Sequence, residues 1–68
     1  IHQTPIEYLL NYRVEQAKKL LRQSELSITD VALRTGFSTS AYFSKIFKER
    51  VGLTPREYRQ PQNTTVSD

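Results

Sequence analysis

One unbroken stripe of apolar residues at helical spacing runs along the first third of the chain. Thr4-Pro5-Ile6-Glu7 gives the stripe a helix start, because threonine can cap the free amides, proline suits the first turn and glutamate completes a capping box. No residue from there to Arg22 breaks a helix, and the apolar residues recur every three or four positions: Leu9, Leu10, Val14, Ala17, Leu20 and Leu21. The segment therefore predicts a long amphipathic helix over residues 5–22.

A second, shorter helix is predicted after a polar link at residues 23–26. Ser27-Ile28-Thr29-Asp30 has the composition of a helix start, with an acid near the positive end of the helix dipole. The helix ends at Gly36, since glycine adopts a left-handed turn that other residues adopt only at a steric cost. Its inward-facing apolar residues are Ile28, Val31 and Ala32.

A third helix is predicted directly after this turn. Ser38 can cap it, and Phe37 before the cap can pack against Tyr42 as a hydrophobic staple. The helix continues to about Arg50 and stops near Gly52, where a second glycine can end it.

The last helix start repeats the first. Thr54-Pro55-Arg56-Glu57-Tyr58 differs from Thr4-Pro5-Ile6-Glu7-Tyr8 only at the middle position, and it predicts a short helix over residues 55–59. The second copy follows a helix-turn-helix pattern, so the repeat suggests that a similar unit once preceded the first copy. The other interpretation is that this five-residue sequence recurs because it starts helices well. Since all four segments have helical patterns, the predicted fold class is all-α.

Composition excludes several classes of function. Ten Lys and Arg residues against seven Asp and Glu give a net charge of +3, which suits DNA but also suits an ordinary solvated surface. With no cysteine and a single histidine, His2, the chain lacks the side chains for a thiolate metal site or a His-based triad. No apolar run reaches membrane-spanning length, and nothing resembles a signal peptide. We therefore expect no enzyme activity, no cofactor, no metal and no membrane partner, and a cytoplasmic location.

Residues 27–50 have the spacing that a helix-turn-helix requires. Such a unit needs a small residue where its helices cross, a tight turn, and apolar anchors under its second helix. Ala32 meets the first need, Gly36 the second, and the pair Phe43 and Phe47 the third. The predicted core of the motif comprises Ile28, Val31, Ala32, Gly36, Phe37, Phe43 and Phe47.

The third helix also has a polar face. Phe43, Phe47 and Arg50 fall on one side with Ile46 beside them, and small, polar and basic residues fall on the other. Small residues let a helix approach base edges, while hydroxyls and lysines can bind bases or phosphates. The predicted base-reading residues are Ser40, Ala41, Ser44 and Lys45. The predicted phosphate contacts are the free backbone amides of Ile28 and Thr29, with Thr39, Lys48, Arg34 and Arg56. An ordinary solvated face fits this helix equally well.

Many fixed spacings in the chain match one family pattern. The match covers about residues 4–59 and comprises Tyr8-Leu9, Arg13-Val14, Ala17, Leu20-Leu21, Ser27-Ile28, Val31-Ala32, Gly36-Phe37, Tyr42-Phe43-Ser44-Lys45, Phe47-Lys48, Gly52, Thr54-Pro55 and Tyr58-Arg59. On these residues the chain resembles the AraC/XylS family of bacterial transcription regulators. In that family a long helix joins two helix-turn-helix units.

The resemblance implies a domain organisation. Residues 4–23 would be the long linker helix, and residues 27–59 the second helix-turn-helix unit with its short final helix. The recognition helix would cover residues 39–50. Residues 60–68 would be a disordered tail, because they have almost no apolar content. The first unit would be absent, and the lack of methionine likewise predicts a piece of a longer protein.

The resemblance also implies a function. It implies sequence-specific binding of double-stranded DNA through the major groove, in a regulator such as an activator, whose intact form recruits or blocks RNA polymerase. The alternative from the residues alone is a small helical protein-interaction module whose basic face meets an acidic protein. A homeodomain also has three helices, but the long first helix and Gly36 favour the bacterial type.

Overall fold

The computed structural model describes residues 3–60, and these residues form four helices with no strand among them. The helices are α1 (Pro5–Gln23), α2 (Ile28–Arg34), α3 (Ser40–Val51) and α4 (Pro55–Arg59). The predicted all-α helix-turn-helix fold is confirmed, and each helix ends within two residues of the predicted position. Gln60 has extended backbone after α4, and the rest of the predicted tail lies outside the described residues. None of these four helices combines the length and apolar character needed to cross a bilayer.

Capping boxes begin α1 and α4 at the two copies of the repeat. The Thr4 amide donates to Glu7 Oε1 at 3.1 Å, and the Glu7 amide donates to Thr4 Oγ1 at 3.0 Å. The corresponding distances between Thr54 and Glu57 are 2.9 and 3.1 Å. Each box satisfies two backbone amides without a helical acceptor, so both helix starts are fixed by local sequence.

The core lies where one face of α1 meets α2 and α3. The buried apolar side chains there are Val14, Ala17, Leu21, Val31, Ala32, Phe37, Phe43, Ile46 and Phe47. Burying an aromatic ring such as Phe43 or Phe47 contributes about 1.5–3 kcal/mol. The predicted stripe on α1 was wrong at Leu9, which is 42% exposed because it lies on the flank of the helix and not on its core-facing side.

The turn between α2 and α3 is a Schellman motif at Gly36. The Phe37 amide donates to the Ala32 carbonyl at 2.9 Å, and the Gly36 amide donates to the Leu33 carbonyl at 3.2 Å. Gly36 has a φ of +95°. The predicted end of α2 was therefore two residues too late, because the helix ends at Arg34 and the glycine lies beyond its cap.

The predicted cap of α3, Ser38, is wrong, because the cap is Thr39. Thr39 Oγ1 accepts a hydrogen bond from the Tyr42 amide at 3.0 Å. The Schellman motif extends through Phe37, so Ser38 belongs to the connection and the helix begins one residue later. The ring of Phe37 lies 6.0 Å from that of Tyr42 but 5.0 Å from that of Phe43, so its main contact is with the core.

Arg59 of α4 caps the carboxyl end of α1, which has no glycine. Its guanidinium donates to the backbone carbonyls of Leu21 at 3.1 Å, Leu26 at 2.5 Å and Ser24 at 3.3 Å. The Leu21 carbonyl lies in the last turn of α1, where carbonyl oxygens lack an amide partner, and the other two carbonyls belong to the cap and the following link. Arg59 therefore holds α4 against α1 and fixes the link that leads into α2.

Candidate nucleic-acid interface

The polar face of α3 points outward because the opposite face is anchored in the core. Phe43 and Phe47 are completely buried, and their ring centroids lie 5.5 Å apart in an edge-to-face contact. Phe47 makes a second edge contact with Tyr58 of α4, also at 5.5 Å. Rotating α3 about its axis would expose these rings, so the core fixes which residues face outward.

The structure places the predicted base-reading residues together on that outer face. Ala41 and Lys45 are exposed, and Ser40 and Ser44 are half-buried. Residues four apart lie one above the other on a helix, so the four side chains form two neighbouring rows in the first turns of α3. Lys45 is the one long side chain among them.

Lys45 has a partner that sequence analysis missed. Its Nζ lies 3.2 Å from Glu49 Oε2, and both side chains are more than half exposed. The spacing of four residues on a predicted helix was the available signal. An exposed pair of this kind contributes about 0.2–1 kcal/mol, whereas a good base contact contributes about 1–3 kcal/mol. Glu49 therefore orients Lys45 without preventing it from turning to a base.

Several predicted phosphate contacts lie at or beside a cleft between α2 and α4. The cleft has a volume of about 480 Å³ and is lined by Ser27, Ile28, Arg56, Arg59 and Gln60. The Ser27 hydroxyl accepts from the Asp30 amide at 3.0 Å. The amides of Ile28 and Thr29 belong to the first turn of α2 and have no helical acceptor. Arg56 adds an exposed cation to the same cleft.

The remaining phosphate candidates lie elsewhere around α3. The Thr39 hydroxyl caps the start of α3, and Lys48 is exposed in its last turn. Arg34, at the end of α2, lines a different cavity of about 540 Å³ against α1. The candidates are thus distributed around α3 and do not form a single cluster.

The predicted motif core is buried except at two positions. Gly36 is exposed in the turn, and Ile28 is half-buried and packs on the core from its edge. One buried polar group, Thr35, was not predicted from the sequence, and its hydroxyl donates to the Val31 carbonyl at 2.7 Å. A threonine directly before a turn glycine was the only signal for it.

The side chain of Arg13 lies close to the backbone of Gly36 and restricts which residue can stand there. A Cβ atom at this position would lie 2.8 Å from Arg13 Nε, closer than real Cβ contacts come. The Arg13 side chain therefore packs directly on the backbone of the turn. The glycine is required for its φ, and a Cβ atom there would also displace the end of the Arg13 side chain.

Glu57 has a perturbed pKa whose cause is structural. Its pKa is lowered from the ordinary value of 4.5, chiefly by the backbone hydrogen bond with Thr54, then by the Thr54 side chain, and more weakly by the charge of Lys48. These contacts belong to the capping box. Between residues 3 and 60, no three acidic or imidazole side chains lie close enough together to hold a metal ion.

Comparison with known proteins identifies a family and several relatives. A family model described as a helix-turn-helix domain matches residues 1–61. RhaS of Escherichia coli, an HTH-type transcriptional activator, is 47% identical to this chain over 57 residues. That alignment covers 84% of this chain and 20% of RhaS, so the chain spans about a fifth of the length of the curated relatives it matches.

Two solved structures have the same helical arrangement. An AraC-type transcriptional regulator of Chromobacterium violaceum is 37% identical, with a TM-score of 0.82, over 84% of this chain and 51% of that chain. The DNA-binding domain of AdpA, a global transcriptional factor in complex with a target DNA, is 35% identical, with a TM-score of 0.82 and the same coverage of 84% and 51%. The chain belongs to the AraC/XylS family of helix-turn-helix DNA-binding domains.

Proposed function

We propose that the chain binds double-stranded DNA by inserting α3 into the major groove. The observation that carries this proposal is the outer face of α3, where small residues and two lysines lie opposite the buried Phe43 and Phe47. An α-helix fits the major groove, and small outward side chains let it approach the base edges. The similarity to AdpA, whose domain was solved with a target DNA, supports the same function.

The base-reading candidates would divide recognition by their chemistry. The hydroxyls of Ser40 and Ser44 can donate or accept, and the methyl group of Ala41 can contact a thymine methyl. Lys45 can donate to the guanine acceptors O6 and N7, which is the commonest type of base-specific contact. We therefore assign most of the sequence preference of this face to Lys45.

Phosphate contacts would fix the register of α3 in the groove. The free amides of Ile28 and Thr29 suit a phosphate oxygen, and Arg56 adds charge beside them. The Thr39 hydroxyl accepts from a backbone amide but keeps its own proton for donation. Lys48 and Arg34 would add phosphate contacts at other points around α3. Such contacts position the protein without reading sequence.

In the intact protein, the chain would be the second of two helix-turn-helix units, with residues 4–23 as the linker helix. The repeat supports this assignment. Pro55 is buried and Tyr58 packs on Phe47, whereas Pro5 and Tyr8 are exposed. A first unit beside the start of α1 would give Pro5 and Tyr8 equivalent partners.

The intact protein would act in the cytoplasm as a non-enzymatic regulator of transcription. Similarity to the activator RhaS supports activation, in which DNA binding by this unit would bring RNA polymerase to a promoter. This role requires the chain only to bind a DNA site, which hydrogen bonds and electrostatic attraction are sufficient to achieve.

Alanine substitutions at the two lysines of α3 test the proposal. Two DNA probes are used: the duplex that the full-length wild type binds most tightly in a selection from a random library, and a duplex of mixed sequence. Affinity for each is measured by fluorescence anisotropy across a salt series. Lys45→Ala should weaken binding to the selected duplex by about 1–3 kcal/mol and leave the mixed duplex nearly unaffected. Lys48→Ala should weaken both and reduce the slope of log affinity against log salt by about 0.9.

Lys18→Ala is the matched control, because Lys18 pairs with Glu15 at 3.1 Å on a different helix. Wild-type behaviour of both α3 variants would remove this face from the DNA interface. A wild type without steep salt dependence on duplex DNA would instead favour a protein-interaction module.

A further inference from the structure

Half of the ten lysines and arginines make no hydrogen bond or ion pair to another described residue. The cations with such a partner are Lys18, Arg22, Lys45, Arg50 and Arg59. The others are Arg13, Lys19, Arg34, Lys48 and Arg56. Lys48 and Arg56 lie away from the larger cavity, whereas Arg34, already proposed as a phosphate contact, lines it. The remaining three come from two different helices and line the same cavity.

This cavity is a groove of about 540 Å³ between α1 and the α2–α3 turn. None of its lining residues is acidic, and most carry hydrogen-bond donors. The donor side chains, named here the donor row, are Tyr12, Arg13, Gln16, Lys19, Gln23 and Arg34. Four of them recur every three or four residues along one face of α1 and span about 16 Å of helix.

The groove adjoins the end of α3 that carries the base-reading residues. Thr35 and Gly36 form part of its wall, and Thr39 begins α3 three residues after Gly36. Arg13 packs on Gly36, so its guanidinium lies at the junction of the groove and the turn. A polyanion that passes along the start of α3 can therefore continue into the donor row.

We propose that the donor row binds the sugar-phosphate backbone of DNA beside the major groove that α3 enters, an inference that rests on the proposed function of α3. Arginine, lysine, glutamine and tyrosine are among the side chains that contact phosphates. Lys19 and Arg34 supply charge, and Gln16 and Gln23 supply neutral donors between and beyond the cations. The long helix is thus part of the DNA-binding surface and not only a connector.

An acidic protein partner is the competing occupant of the groove. Leu9 and Tyr12 are 42% and 54% exposed and would suit an apolar contact. The donor row fits DNA better, because three of the groove's residues are cations, none is acidic, and the donors recur along α1 as phosphate acceptors recur along a DNA strand. The centres of protein interfaces are depleted of charge and rich in aromatic residues.

The test compares adjacent lysines on α1 in the full-length protein. Lys19→Gln and Lys18→Gln remove the same charge one residue apart, but Lys19 lines the groove and Lys18 pairs with Glu15. Arg34→Gln and the double variant with Lys19→Gln complete the series. Arg13 stays unchanged because it also braces the turn. The probe is a mixed-sequence duplex of about 30 base pairs, titrated between about 50 and 200 mM salt.

Each groove substitution should reduce the salt slope by about 0.9, and the double variant should reduce it by about 1.8. When the salt concentration rises fourfold over this range, the ratio of the wild-type affinity to the double-variant affinity should therefore fall about twelvefold. Lys18→Gln should leave the slope unchanged. The three groove variants should keep the wild-type melting temperature because Lys19 and Arg34 are exposed.

Two results would overturn the inference, and they are distinguishable. If Lys19→Gln and Arg34→Gln behave like Lys18→Gln while Lys48→Gln still lowers the slope, α3 binds DNA and the donor row does not. If the wild type itself shows no salt-dependent binding to duplex DNA, the proposed function of α3 fails and the donor row has no DNA to bind.

Discussion

Replacing Gly36 by alanine tests two separate demands that the turn between α2 and α3 makes on one residue. The backbone has a φ of +95°, a region that residues with a Cβ atom rarely adopt. The new methyl group would also lie 2.8 Å from Arg13 Nε and 3.1 Å from its Cζ. Gly52 separates the two effects, because its φ is +92° and a Cβ atom there meets nothing within 4 Å.

The expected cost follows from adding these effects. Left-handed backbone costs an alanine about 1–2 kcal/mol, and the reduced entropy of the unfolded chain offsets about 0.4–1 kcal/mol of this. Gly52→Ala should therefore destabilise the fold by about 1 kcal/mol. Gly36→Ala must also push Arg13 out of its rotamer at about 0.5–1.5 kcal/mol, so it should cost about 2 kcal/mol. In a domain of this size, these values lower Tm by about 4–8 °C and 8–16 °C.

The assay is urea and thermal unfolding followed by far-ultraviolet circular dichroism, with Arg13→Ala as a second background. Without the arginine side chain, Gly36→Ala should cost no more than Gly52→Ala, which gives a coupling energy of about 1 kcal/mol between the two positions. Equal costs for the two glycines in the wild-type background would show that Arg13 does not constrain the turn. A coupling energy near zero would lead to the same conclusion.

Two further predictions concern α4. The pKa of Glu57 is lowered in the folded state from its ordinary value of 4.5, so the stability it contributes is present above the unfolded-state pKa and is lost as the pH falls through the folded-state pKa. An NMR titration should give the lowered pKa, and Glu57→Gln should flatten the dependence of unfolding free energy on pH below about pH 4.5. An unchanged dependence in that variant would contradict this prediction. Arg59→Lys keeps the charge but loses the fork that reaches the carbonyls of Leu21, Ser24 and Leu26, and should destabilise the fold by about 1–3 kcal/mol in urea unfolding. Arg56→Lys on the same helix is its control and should stay within about 0.5 kcal/mol of wild type; equal effects at both arginines would refute the capping role.

The helix starts and the turn could be predicted from sequence because their determinants are local. Thr4, Ser27 and Thr54 each accept a hydrogen bond from an amide three residues later, so a short segment contains all the information. Gly36 marks the turn because its φ excludes most other residues. The buried side of α3 followed from periodicity, since Phe43 and Phe47 are one turn apart.

Other features could not be predicted because they depend on neighbours. Ser38 and Thr39 are both able to cap a helix, and only the length of the preceding Schellman motif selects Thr39. Arg59 contacts Leu21 across a separation of 38 residues, and a sequence pattern gives no sign of which arginine will reach those carbonyls. The donor row combines residues of α1 with Arg34 of α2, so the pattern of either helix alone does not show that Lys19 and Arg34 line the same groove.

The two copies of the repeat distinguish what local sequence determines from what tertiary contacts determine. Their capping-box distances agree to within 0.2 Å, although α1 has 19 residues and α4 has 5. The tyrosines differ: Tyr58 packs edge-on against Phe47, whereas Tyr8 is 64% exposed. A capping box needs only the threonine and the glutamate, so starting a helix does not account for a tyrosine in both copies. A tyrosine in both copies is explained if each ring covers the side of a helix-turn-helix core, as Tyr58 does against Phe47. The repeated tyrosine therefore supports the proposal that a whole unit was duplicated, in which a partner of Tyr8 would lie against the exposed first turns of α1.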